Sequence, residues 1–131
     1  MHTHLTRVYY ADTDAGGVVY HATYLAMAEQ ARTEALRAAG MPHAAMLAEH
    51  DRMFMVRRVK IAYLRPAKLD DMIIITTHAL AETGATILLA QDFSLPDGAK
   101  LAALEVELVC VRASSLKPAR IPPPWRNILS A

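Results

Sequence analysis

The chain has 131 residues, 53% of them hydrophobic, and a formal net charge of +1 from 14 basic and 13 acidic side chains. That length and apolar content fit one domain with a sizeable core and exclude a disordered chain. The balanced charge gives no electrostatic ground for nucleic-acid binding, and a single cysteine, Cys110, excludes an intramolecular disulfide framework or a multi-cysteine zinc site.

In chain order, HLTRVYY (4–10) carries β-branched and aromatic residues and predicts a short strand. Gly16-Gly17 punctuates the chain. HATYLAMAEQARTEALRAAG (21–40) is rich in strong helix formers and stopped by Gly40, which predicts a long helix. Tyr24, Ala28, Ala31, Ala35 and Ala39 share one face of it, and so smooth a face suits close packing on a sheet. HAAMLAEH (43–50) predicts a short second helix. From Arg52 onward the period changes to two. Met53, Met55, Val59, Ile61 and Tyr63 are expected on one face, with Arg57 as the exception and Arg58 and Lys60 on the other. DMIIITTHALA (71–81) reads as a strand buried on both faces. ATILLAQDFSL (85–95) and KLAALEVELVCVR (100–112) alternate again around the turn residues Pro96-Asp97-Gly98. The proline-rich KPARIPPPW (117–125) is expected to run extended along the surface.

One short strand, one long helix and four long strands with short connections predict an α+β architecture. A single long helix is wrapped by an antiparallel sheet of about five strands, as one domain over 1–131. One helix cannot cover such a sheet, so an edge or face remains for a partner chain. No apolar segment of signal-peptide length precedes Asp12, and the longest apolar run, 72–81, is about half the length of a membrane-crossing helix. The expectation is a soluble, cytoplasmic protein with no transmembrane segment.

The stretch YYADTDAGGVVYHATY (9–24) concentrates the candidate chemistry. Two aspartates and two glycines stand just before the long helix. A carboxylate serves as nucleophile or general base. A helix N-terminus offers unpaired N–H donors and the positive end of a dipole. Gly16 and Gly17, without side chains, let a substrate approach the backbone. From position alone, the favoured reading of Asp14 is a turn or helix cap, and that of Asp12 a turn-former or a hydrogen bonder behind it. His43 and His50 have no third ligand at metal-binding spacing, so no metal is expected.

YYADTDAGGVVYHATYLAMAEQARTEALR resembles the signature of the hotdog-fold acyl-CoA thioesterases of the 4-hydroxybenzoyl-CoA thioesterase type, and within them the bacterial Tol-Pal-associated, YbgC-like branch. MFMVRRVKIAYLRPAKLDDMIIITT, ALEVELVCV and LKPARIP extend the resemblance over nearly the whole chain. The resemblance implies hydrolysis of an acyl thioester with no cofactor, and dimers or tetramers with sites between subunits. It assigns the catalytic carboxylate to Asp14 and the oxyanion donor to the backbone N–H of His21. Gly16, Gly17, Val18 and Tyr20 complete the expected acyl contacts. Arg57, Arg58, Lys60, Arg65 and Lys68 make a basic stretch that reads either as a solvated strand face or as a holder of the CoA phosphates. The basic cluster that the 4-hydroxybenzoyl-CoA enzymes carry before the strand near Ala85 is missing: AETGAT has no basic residue.

Glu29 is the rival carboxylate. It lies about 12 Å along the helix from His21 at the standard rise, too far to share one carbonyl, and Arg32 is its expected partner. The leading expectation is a thioesterase acting on a short- or medium-chain acyl group carried by CoA or by acyl carrier protein. The alternatives are a hotdog dehydratase, and a non-catalytic adaptor for acyl carrier protein or an envelope complex.

Overall fold

A computed structural model describes residues 1–130. The elements follow in the order β1 (His2–Arg7), α1 (Thr23–Ala38), α2 (His43–His50), β2 (Arg52–Tyr63), β3 (Met72–Glu82), β4 (Thr86–Ser94) and β5 (Lys100–Arg112). The strands form one antiparallel sheet in the order β1-β3-β4-β5-β2. The sheet wraps α1, the α+β hotdog arrangement expected. Strands β1 and β2 are its two edges.

Helix α1 packs on the sheet through Tyr24, Met27, Ala28, Ala31, Ala35 and Leu36, all buried. Against it stand Ile73 and Ile75 of β3, Leu89 and Phe93 of β4, and Leu104 and Val106 of β5. Alanine at the contact lets the backbones approach. Two polar residues, Thr77 and Gln91, are fully buried and bond each other: Gln91 donates from Nε2 to Ala28 O at 2.9 Å and to Thr77 Oγ1 at 3.0 Å. Its Oε1 accepts from Arg32 at 3.0 Å. That tie changes the expected pairing of Glu29, which instead accepts from Thr33 Oγ1 at 3.0 Å. Gly40 ends α1 with φ +76°, its N–H bonding Arg37 O while Met41 N–H bonds Leu36 O, a Schellman closure.

Four expectations are corrected. The first strand ends at Arg7, because Tyr10–Asp12 coil into a single 3-10 turn held by Asp12 Oδ2 accepting from Tyr9 N–H at 2.9 Å. In β2 the register shifts between Val56 and Arg58, so the exceptional Arg57 is a β-bulge. Val56 pairs with Leu108 before it, and Val59 and Ile61 pair with Val106 and Leu104 after it. Phe54 and Val56 therefore join Val59, Ile61 and Tyr63 on the helix side, and Met53 and Met55 leave it. Strand β3 is buried on one face only, through Ile73, Ile75 and Thr77, while Leu80 is half exposed. The proline-rich tail rides the surface only in part, with Lys117, Pro118, Arg120, Pro123 and Pro124 exposed and its large apolar side chains turned inward. Ile121 and Trp125 are 1% exposed, and Trp125 Nε1 donates to Met41 O at 2.9 Å. Prolines 122–124 remove backbone donors, and Trp125 supplies the large apolar surface that draws the segment inward.

No helix among the described residues is long and apolar enough to cross a membrane.

Candidate active site

Residues 13–19 form a miniature hairpin. Thr13 bridges Val19, Asp14 N–H bonds Val18 O at 2.9 Å, and Gly17 N–H bonds Asp14 O at 3.1 Å. The three-residue loop Ala15-Gly16-Gly17 needs a left-handed residue at its end, and Gly17 supplies it with φ +79°. Gly16 has a different task. Its N–H donates to Asp14 Oδ1 at 2.8 Å, and a Cβ at this position would stand only 3.2 Å from that oxygen. The glycine thus makes room for the carboxylate itself and fixes its direction. Asp14 remains exposed, with its other oxygen free of any bond within the described residues.

The chain then turns into α1. Tyr20 N–H bonds Asp12 O and Thr23 N–H bonds Tyr20 O, so a turn occupies Tyr20–Thr23. The helix begins two residues later than its sequence suggests, and His21 lies in the turn before the N-cap Ala22. Ala22 gives no side-chain cap. The His21 N–H has no hydrogen-bond partner among the described residues. Tyr63, the last residue of β2, donates its hydroxyl to His21 O at 2.8 Å and holds the turn in place.

Asp14, Val18 and His21 line one open cleft of about 320 Å³ with Val19, Tyr24, Tyr63, Leu64, Arg65 and Pro66. Asp14 and His21 therefore share one cleft with apolar walls, beside a helix start that no side chain caps. Tyr20 leans on the His21 ring, centroids 4.5 Å apart, and does not line the cleft. Tyr24 is buried beneath it; burial pushes its phenol above the ordinary range, against the opposing pull of the Ala67 N–H that bonds its oxygen. Arg57, Arg58 and Lys60 stand elsewhere, on exposed β2. Arg57 pairs with Glu107, Arg58 approaches the same carboxylate at 3.9 Å, and Lys60 is registered with Glu105. Glu29 lines a separate cavity of about 140 Å³ between α1 and the sheet.

Tyr63 is a cleft residue that sequence reasoning missed as a site member, while Arg65, read there only as part of the basic stretch, lines the cleft as well. The signal was slight: an aromatic residue ending a strand just before the proline Pro66. Only the return of β2 toward residues 13–21 gives it meaning.

A sheet wrapped around one long helix, with an open cleft beside the start of that helix, places the chain among the hotdog-fold proteins. Residues 8–129 match the model of the thioesterase-like superfamily, and the chain belongs to that family. It is 43% identical over 116 residues to the acyl-CoA thioester hydrolase YbgC of Escherichia coli O6:H1, covering 88% of this chain and 86% of that protein. It is 42% identical to the acyl-CoA thioesterase YbgC of Haemophilus influenzae, covering 88% and 85%. The crystal structure of a probable thioesterase from Bartonella henselae superposes with a TM-score of 0.87 at 34% identity, covering 92% of this chain and 98% of that one. The protein is a thioester hydrolase.

Proposed function

We propose that the chain hydrolyses short- or medium-chain acyl-CoA esters to the free acid and CoA. The observation that carries this reading is the shared cleft of the exposed Asp14 carboxylate and the unpartnered His21 N–H. The thioester carbonyl sits with its oxygen on the His21 N–H. Asp14 either attacks the carbon or takes a proton from the water that does. As the carbon becomes tetrahedral, charge collects on the oxygen, where the amide and the helix end stabilise it. The carbon–sulfur bond then breaks and CoA leaves as thiolate. On the general-base route the free acid is formed at once; on the nucleophilic route the acyl group stays on Asp14 as a mixed anhydride that water hydrolyses to the free acid and the restored carboxylate. A thiol with a reference pKa of about 8.5 needs no strong general acid to depart. Val18 and the aromatic wall of Tyr24 and Tyr63 hold the first carbons of the acyl chain.

The reading includes a homodimer or homotetramer. The free edge of β2, with Met55, Val56 and Val59 partly exposed, and the openness of the cleft on one side both support it. It carries with it a cytoplasmic setting and no cofactor beyond the substrate.

Thiol release from a panel of short, long and aromatic acyl-CoA esters tests the reading, with Asp14→Asn beside the wild type. Asn keeps an oxygen for the Gly16 N–H, so the loop survives. Turnover should fall by about a thousandfold or more, with the melting temperature unchanged. Equal turnover by variant and wild type would remove Asp14 from the chemistry. No release from any ester would return the protein to the carrier-protein or adaptor readings.

A further inference from the structure

At the opposite end of β2 from Tyr63 lies a second cleft, of about 350 Å³, lined by His50, Arg52, Arg120, Ile121, Pro122, Pro123 and Arg126. It holds three guanidinium groups and an imidazole, and no carboxylate of the described residues lines it. None of the three arginines forms an ion pair among the described residues. The nearby acids are engaged elsewhere: Asp51 with Ser114, and Glu82 with the Asn127 N–H.

Two of the three guanidinium groups are held in place by backbone oxygens. Arg52 donates to His50 O at 3.0 Å and to Arg120 O at 3.3 Å. Arg126 donates to Ile121 O at 3.3 Å and to Gly84 O at 3.4 Å. The guanidinium of Arg120 makes no hydrogen bond among the described residues, so all its donors are free. Gly84 is the reason these groups can gather. A Cβ there would meet Arg120 Nη1 at 3.3 Å and Arg126 Nη2 at 3.7 Å, so both guanidinium groups converge on one small patch of backbone. Like charges brought this close repel unless an anion lies between them. Oriented guanidinium groups with spare donors match the oxygens of phosphate, often two at a time.

We propose that this cleft is a phosphate-binding site, built by Arg52, Arg120 and Arg126, for a diphosphate or phosphomonoester. Arg52 opens β2 and Tyr63 ends it, so in one copy of the chain this site and the Asp14 cleft occupy opposite ends of a 12-residue strand. The phosphate belongs either to the nucleotide part of a CoA ester or to a free phosphorylated ligand.

Titration calorimetry of the whole chain with inorganic pyrophosphate at low ionic strength is the test. Saturable binding is expected, weakened about tenfold or more in Arg120→Gln/Arg126→Gln and by added salt. Lys100→Gln, which removes an exposed cation at the start of β5, should leave it unchanged. Absence of binding by the wild type, or equal binding by the double variant, overturns the proposal. Should the double variant fail to fold, Arg52→Gln carries the same expectation and the same refutation. A second arm separates the sources and rests on the thioesterase reading, as the first does not. It compares KM for an acyl-CoA ester with KM for the same acyl group on pantetheine, which lacks the nucleotide. A rise confined to the CoA ester identifies the coenzyme's own phosphates. Lost pyrophosphate binding with both KM values unchanged identifies a free ligand.

Discussion

At Gly16 one absent methyl group governs the direction of a carboxylate. The residue bonds Asp14 Oδ1 through its N–H, and a Cβ there would crowd that oxygen at 3.2 Å and push the carboxylate aside. Gly16→Ala should therefore displace Asp14 while leaving the hairpin intact, since its backbone is not in the left-handed region. Turnover is expected to drop about ten- to a hundredfold, as for other small misplacements of a reacting group. The melting temperature should hardly move. Equal loss of turnover and stability would instead mean that the loop as a whole had collapsed. The contents of this loop were legible in the sequence, because two aspartates and two glycines in so short a span restrict the backbone strongly. The division of labour between the glycines was not. Gly17 supplies a left-handed φ, Gly16 supplies space, and both tasks are written with the same letter.

Between elements, the polar tie at Gln91 is the point where the sheet holds the helix. It joins β4 to Ala28 O, to Thr77 on β3 and to Arg32 on α1. Gln91→Ala leaves a buried carbonyl and hydroxyl without their donor, and a cost of about 2–4 kcal/mol is expected in denaturant unfolding. Arg32 loses its partner in the same change; burial already pulls its guanidinium below the usual range, with Glu29 opposing. Next to it His43, the first residue of α2, is held below its ordinary pKa of 6.5, chiefly by burial and further by Arg32 and Arg37, with Glu29 opposing. The unfolded chain therefore takes up a proton that the folded chain resists. Stability should be full above about pH 6.5 and decline as the pH falls below it. His43→Gln should lessen that decline when urea midpoints at about pH 7.5 and about pH 5.5 are compared. Helix α1 and the strands could be read from their periods, but the two faces of β2 could not. A bulge adds one residue without changing the alternation on either side, so Arg57 looked like an exception rather than a change of phase.

Over the whole molecule, the segment after β5 ties distant parts together. Ile121 N–H bonds Gly84 O at the β3–β4 turn, and Trp125 reaches Met41 O just past α1. Trp125→Ala should cost about 3–5 kcal/mol and lower the thermal midpoint by many degrees. Differential scanning calorimetry would show a loss much smaller than this if the indole merely covered the surface. The sequence concealed this role because three prolines suggested an open, extended run. Prolines also suit a segment that packs by side chains rather than by sheet hydrogen bonds. The order of synthesis adds a consequence. All five strands and both helices leave the ribosome before Ile121 and Trp125 do. A chain interrupted after Arg112 would carry every regular element and still lack the indole that seals the gap behind Met41. Such a fragment would leave an unfilled apolar hollow, so the regular elements alone do not close the core and the last step of packing waits for the indole.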